Sequence, residues 1–476
     1  MTLRSRPVCL CPKSFASRKN EPSLVANLSS TIPEARGHWL LGNIPAVRRD
    51  FFLWLRDNQA ALGDLYHVKL GPRRFIIVSK PEYVQRVLQS NYRNYRKSGG
   101  YETLKLFLGQ GLLTSEGEHW RRQRRLAQPA FHREKLQRLC EVMTDEARRV
   151  GESWATVCDA GGTVDVVQEM LSATMNIVAK AMFGADVSDD IEAVSSNLEL
   201  LGHFGVRRIR SAFKPPIWLP TPMQRRFKRA AASINDVLFR IISERRARDE
   251  SDWPHDLLSM LMRAADEETG ERMSDAQLRD EIVTIFTAGH ETTALSMAWT
   301  WDLLGRHPDA AEKLKAEVES VLGDRDPGFE DVMNLPYTRM VIDEALRLYP
   351  PGWLMGRAPI SADQIGPYEL RPGTDVLIFT YGVHRHPELW ESPNDFRPQR
   401  WETDRVKTLP DYAYFPFGGG PRICIGNNFA LTEMTILLAH LARRFRLSPM
   451  TDKEPEVSAL VTLRPKGELR MQIRSS

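Results

Sequence analysis

The chain has 476 residues, 42% of them hydrophobic and 26% charged, enough to bury a large core. Its formal charge of +4, from 65 basic and 61 acidic side chains, is too small to mark a nucleic-acid binder. The five cysteines, Cys9, Cys11, Cys140, Cys158 and Cys424, make no disulfide framework and read as a reducing compartment.

Residues 1–30 are polar, with Arg4, Arg6, Lys13, Arg18 and Lys19 against Glu21. They are expected to form a disordered tail, with a mitochondrial-type transit peptide as the alternative. No apolar core of a secretory signal is present, and no window reaches the roughly 18 consecutive apolar residues of a membrane span. Cys9-x-Cys11 lacks a second pair and predicts no metal site. Residues 31–45 form a Pro- and Gly-rich lead-in. Strand-like runs at 65–70 and 75–78 flank the Gly71-Pro72 turn, and Pro81 opens a helix. From about 132 to 350 the periodicity is helical, with amphipathic stretches at 136–156, 164–183, 222–249, 277–305 and 309–323. Residues 358–382 revert to short strands and turns; a helical stretch and a last strand pair around 459–473 close the chain. The expectation is a mainly α protein with a small β-rich region, one domain over 31–476.

Five segments carry chemistry. Trp120 and Arg124 lie one turn apart, and between His119 and Arg138 seven basic residues (Arg121, Arg122, Arg124, Arg125, Arg133, Lys135, Arg138) face one acid, Glu134. The plain alternative is a solvated basic helix. Ala288-Gly289-His290-Glu291-Thr292-Thr293 sits amid Ile282, Ile285, Phe286, Leu295, Met297 and Trp299. A glycine and an acid–hydroxyl pair inside so apolar a helix are costly unless used, although threonines there can simply bond back to carbonyls. His290 has no second ligand at a fitting spacing and reads as structural. Glu344-x-x-Arg347 shares a helix face ended by Pro350-Pro351, and Arg400 follows in Phe396-Arg-Pro-Gln-Arg-Trp401. Last, Phe417-Gly-Gly-Gly-Pro-Arg-Ile-Cys-Ile-Gly426 places Cys424 in a glycine-rich bend before a helix, where backbone N–H groups favour a thiolate.

That last run resembles the signature of the cytochrome P-450 superfamily, the haem-thiolate monooxygenases, Phe-x-x-Gly-x-Arg-x-Cys-x-Gly, at Phe417, Gly420, Arg422, Cys424 and Gly426. The resemblance implies haem (heme b, iron protoporphyrin IX) between the 277–305 helix and the cysteine loop, with Cys424 as the metal ligand. Phe417 and Gly426 would belong to the cofactor site, and Trp120, Arg124, Arg422 and Arg357 would contact the propionates. Gly289 would leave space for oxygen, Thr292 would supply the hydroxyl, Glu291 would be the proton-relay acid and Ala288 would face haem and substrate. Glu344, Arg347 and Arg400 would form a structural triad behind the cysteine loop. By superfamily position the pocket residues would be Tyr101, Phe107, Phe204, Phe286, Ala288, Trp353, Leu354, Leu460 and Val461, lining a site for an apolar terpenoid, fatty acyl or polyketide molecule.

The implied reaction is hydroxylation or epoxidation with O2. No flavin or iron–sulfur module is evident, so NAD(P)H electrons would arrive through an acidic ferredoxin or flavodoxin docking on the 119–138 patch. The expected protein is a soluble, cytoplasmic, bacterial-type monomer. Two alternatives remain open here, an oxygen-independent haem-thiolate enzyme (peroxygenase or isomerase) and a haem sensor or electron carrier. The Glu291-Thr292 pair speaks against both.

Overall fold

The computed structural model describes residues 32–71, 73–184, 188–210 and 215–476. The 1–30 tail, with Cys9 and Cys11, lies outside the described residues, as does Pro72 of the expected turn.

The body is built around one helix, Asp275–Arg306. Ser274 starts it: its side chain accepts from the Gln277 N–H while Gln277 reaches back to the cap, a reciprocal capping box. Leu278, Ile282, Phe286, Leu295, Trp299 and Leu303 are buried on different sides of this helix, so it can only lie in the interior. Helix Val166–Phe183 packs along it. The contact is close where Gly289 meets Val178: a Cβ on Gly289 would come within 3.2 Å of Val178 Cγ2. Thr174 Oγ1 donates to the His290 carbonyl at 2.9 Å across the same seam. On the other side Trp299 stacks on Tyr349 at 3.8 Å between ring centres. Helices Arg133–Asp159 and Asn427–Arg444 pack together beside it.

The expected helices are present with shifted ends, among them Pro222–Arg246 and Pro308–Leu322. Two differences matter. Residues 163–165 form a strand, Thr163–Asp165, because the Asp165 side chain caps the following helix at the Val167 N–H. The expected closing strand pair is two separate structures. Val457–Ala459 pairs with Leu463–Pro465 as a hairpin. Arg470–Ser475 instead runs between Phe445–Pro449 and Thr163–Asp165.

The β-rich region is a five-stranded sheet in the order Leu65–Leu70, Arg73–Val78, Asp375–Ile378, Met355–Pro359, Tyr95–Lys97. Only Arg73–Val78 and Asp375–Ile378 run parallel. The register sets Arg357 directly opposite Lys97 on the outermost strand. Two cations facing each other across an antiparallel pair are unfavourable unless an anion joins them.

Candidate active site

A cavity of about 2540 Å³ lies between the central helix and the cysteine loop. Its floor is the loop. Gly418 and Gly420 adopt φ of +73° and +64°, and a Cβ on Gly420 would lie 1.9 Å from the Leu88 carbonyl oxygen, so only glycine fits there. The Cys424 N–H donates to the Phe417 carbonyl at 2.9 Å, closing the bend just before helix Asn427–Arg444. Arg124 Nη1 donates to the Ile423 carbonyl at 2.8 Å and holds the bend from the basic helix, Gly117–Ala127. Cys424 is open to the cavity although it lies deep in the protein. Burial pushes its thiol above the ordinary range, against the Gly426 N–H and Arg124, which favour the thiolate.

Facing the loop are Ala288, Gly289, Glu291 and Thr292 of the central helix, all of which line the cavity. The Thr292 hydroxyl donates to the Ala288 carbonyl at 2.7 Å. Glu291 Oε1 accepts from Thr462 Oγ1 at 2.7 Å and from the Arg464 guanidinium. His290 Nδ1 lies 3.1 Å from the Phe286 carbonyl, consistent with a structural role. Under Thr293, on the cysteine helix, Glu433 is fully buried, and burial holds its carboxyl well above the usual range despite the Thr293 hydroxyl.

One side of the cavity concentrates positive charge. Lys97, Arg357 and Arg422 all line it. Glu116 is their carboxylate: Arg422 Nη1 donates to its Oε1 at 2.9 Å and the Lys97 N–H donates to the same oxygen at 2.7 Å. Arg422 also lies over the Trp120 ring, 4.9 Å from its centre. Lys97 Nζ donates only to the Leu112 and Ser115 carbonyls, at 3.1 and 2.7 Å. Burial first, and then the charge of Arg422, press its pKa down from 10.5 to about 7. Arg357 is buried and reaches its neighbour's Gly356 carbonyl at 2.9 Å. Three cations around one carboxylate make a site that calls for further acid groups.

The residues present therefore fit a haem. The charge cluster is short of the two carboxylates that its propionates carry. The floor glycines let a flat ring approach. A single thiol suits an iron whose other ligands a macrocycle would bring. Lys97 escaped sequence reasoning because its partner across the sheet, Arg357, is 260 residues away in the chain.

Behind the loop, Glu344 receives five donors. Arg347 Nε and Nη2 reach it at 2.9 and 2.8 Å, Arg400 Nε at 2.8 Å, the Arg397 N–H at 3.0 Å and the Trp401 indole at 3.1 Å. Arg347 Nη1 donates onward to the His384 carbonyl at 2.9 Å. The His384 ring Nε2 accepts from the Phe415 N–H at 2.9 Å, and the Phe415 carbonyl accepts from the Gly418 N–H at 2.9 Å. This unbroken chain runs from Glu344 to the cysteine loop. Burial and then Arg347 lower the His384 pKa from 6.5 to about 3, which keeps the ring neutral.

Of the expected pocket residues, Tyr101, Phe204, Trp353, Leu354, Leu460 and Val461 line the cavity. Phe107 and Phe286 do not: both are 3% exposed or less and fill the core, their helix phases turning them away from the opening. The basic patch also differs from its sequence count. Arg122 and Arg125 pair with Asp266, Glu268 and Glu271 of a distant turn, and Arg121 pairs with Glu118 one turn back. Its net charge is largely cancelled by acids from elsewhere in the chain. Among the described residues Arg133, Lys135 and Arg138 carry no ion pair, Arg133 lying instead over the Phe329 ring.

A deep thiol facing an acid–alcohol pair across a cation-edged cavity, on a helical body with a small sheet, defines a haem-thiolate oxygenase. The chain belongs to the cytochrome P450 family, whose model matches residues 32–471. It is a cytochrome P450 monooxygenase. It is similar to cyclooctatin synthase of Streptomyces melanosporofaciens, 42% identical over 417 residues, 86% of this chain and 88% of the relative. It is 37% identical to cyclooctat-9-en-7-ol 5-monooxygenase of the same organism over 86% of this chain and 89% of that one. With pentalenene oxygenase of Streptomyces avermitilis it shares 32% identity over 91% of this chain and 96% of the relative. Among the described residues no helix is long and apolar enough to cross a membrane.

Proposed function

We propose that this monooxygenase inserts one oxygen atom from O2 into a cyclic terpenoid, with electrons delivered by a separate ferredoxin or flavodoxin. The observation that carries the reading is the shared cavity. Cys424 and Thr292 line it together, and Phe204, Trp353, Leu354, Leu460 and Val461 give part of the same wall an apolar surface. Such a wall orients a hydrocarbon and excludes water from it. The names of three relatives support a terpenoid over a fatty acyl or polyketide substrate. When bound, the haem supplies the oxygen-activating chemistry.

Cys424 would hold the iron as thiolate. Lys97, Arg357 and Arg422, with Trp120, would hold the propionate edge. Thr292 Oγ1 and the Glu291 carboxyl hold and pass protons on the opposite side. The Glu344, Arg347 and Arg400 triad keeps the cysteine loop in place through His384. Lys135 and Arg138 offer the unpaired charge for an acidic electron donor.

The test is a titration of the Soret band with cyclooctat-9-en-7-ol, pentalenene, a long-chain fatty acid and a macrolactone, followed by mass analysis of products formed with a plant-type ferredoxin and its reductase. A terpenoid should shift the band and gain one oxygen atom. Turnover of the fatty acid or macrolactone with inert terpenoids overturns the substrate class.

A further inference from the structure

The hairpin Val457–Ala459 and Leu463–Pro465 carries two functions on one short segment. Its tip, Leu460–Thr462, enters the cavity, and Val461 keeps nearly half its surface open there (46%). One and three residues after Val461, the same segment grips Glu291. Thr462 Oγ1 donates at 2.7 Å and Arg464 Nη2 also donates, both to Oε1. Arginine and carboxylate usually meet through two parallel bonds. Here the contact is end-on, and Arg464 Nε is buried without a partner. The grip is therefore incomplete and easily exchanged for another arrangement.

The base of the hairpin is fixed. The Trp299 indole donates to the Leu463 carbonyl at 3.1 Å, and the Leu463 N–H donates to the Pro351 carbonyl at 3.3 Å. The tip carries two side-chain bonds, from the Trp353 indole to the Leu460 carbonyl at 3.3 Å and from Thr462 Oγ1 to Glu291, and Trp353 itself lines the cavity. A molecule packed on Leu460, Val461 and Trp353 thus bears on the same short segment whose Thr462 and Arg464 hold Glu291.

We propose that Arg464 and Thr462 are positioning residues that restrain Glu291 on the hairpin until an apolar ligand fills the tip region, so that proton delivery waits for the substrate. The proposal rests on the reading of Glu291 as the proton-delivery acid. While Oε1 is committed to the hairpin, the carboxyl is held in one orientation, with Oε2 alone left for water on the cavity side. A ligand that moves the tip frees it.

The experiment uses the haem-loaded full chain with a plant-type ferredoxin and its reductase, first without ligand. Arg464→Gln should raise ligand-free NAD(P)H consumption about fivefold, the scale of a partly exposed ion pair. Arg464→Lys should stay near wild type, and Thr462→Val should fall between. Glu291→Gln should lower consumption, and the Glu291→Gln/Arg464→Gln double variant should match Glu291→Gln alone. A second readout is independent of turnover: amide hydrogen exchange over Val457–Pro465 should quicken equally in Arg464→Gln and Glu291→Gln. Adding cyclooctat-9-en-7-ol should stimulate wild type but not Arg464→Gln. Unchanged ligand-free consumption in Arg464→Gln, with Glu291→Gln still impaired, overturns the restraint alone. If Glu291→Gln behaves as wild type, the underlying reading of Glu291 falls instead. Faster exchange with unchanged consumption assigns Arg464 a merely structural role and also overturns the proposal.

Discussion

Two arginine-rich clusters flank the cysteine loop, and they are built in opposite ways. Behind the loop, one carboxylate, Glu344, takes five donors, and Arg347 spends its remaining Nη1 and Nη2 N–H groups on backbone carbonyls, including Pro393 at 2.7 Å. Both members of the Glu344–Arg347 pair are wholly buried. At the cavity edge the balance is reversed: Lys97, Arg357 and Arg422 line the cavity together, and Glu116, bonded to the Arg422 side chain and the Lys97 N–H, is the carboxylate beside them. A complete cluster is a joint. A cluster short of anions is a receptor. The same residue types serve both ends because only the ratio of donors to acceptors differs.

The comparison breaks most violently at Glu344. Glu344→Gln strands Arg347 and Arg400 and should cost about 3–5 kcal/mol. Loss of the thiolate-type carbon-monoxide band in the expressed protein would report it. If the variant folds and keeps that band, the joint is dispensable.

His384 gives the next effect, through pH. Its pKa is about 3 in the folded protein against 6.5 ordinarily, so below pH 6.5 the unfolded chain binds more protons than the folded one. Stability should therefore fall as pH drops from about 6.5 toward about 3, by up to about 1.4 kcal/mol per pH unit from this group. His384→Asn keeps an acceptor for the Phe415 N–H and removes the titration, so denaturant melts should show a flatter acid limb. An equal acid limb in both proteins would place the sensitivity elsewhere.

The receptor cluster should respond differently. Arg422→Ala and Lys97→Met should each weaken haem retention about tenfold, the worth of one charge-assisted hydrogen bond, with little change in folding. Transfer of haem to apomyoglobin measures it. Large losses of stability instead would make this cluster a joint as well.

The smallest effect separates paired from unpaired surface charge. Glu118→Gln with Arg121→Gln removes a whole ion pair, leaves the net charge unchanged and should alter the rate of haem reduction less than about twofold. Lys135→Glu with Arg138→Glu should slow it about fivefold at low salt. Equal effects from the two double variants would return the docking site to the whole patch.

Sequence reasoning reached the chemistry where residues that act together lie close in the chain. Cys424 and its glycines, the Gly289–Thr292 turn and the Glu344–Arg347 pair are each a local pattern, and their backbone requirements are visible in their composition. The chain alone, through those patterns and the helical periodicity around them, carried a thiol in a glycine-rich bend and an acid–alcohol pair inside an apolar helix of a mainly α protein; that the two face each other was implied only by the resemblance. Tertiary structure decided everything that depends on charges brought together from afar. Lys97 became a cavity residue only when its strand paired with that of Arg357. Arg122 and Arg125 lost their free charge to the turn at 266–271. Phe107 and Phe286 turned into the core, and Glu291 acquired Arg464 as a partner. Coulombic and hydrogen-bond partners are set by distance in space, and one chain read in order carries no distance beyond a turn or two.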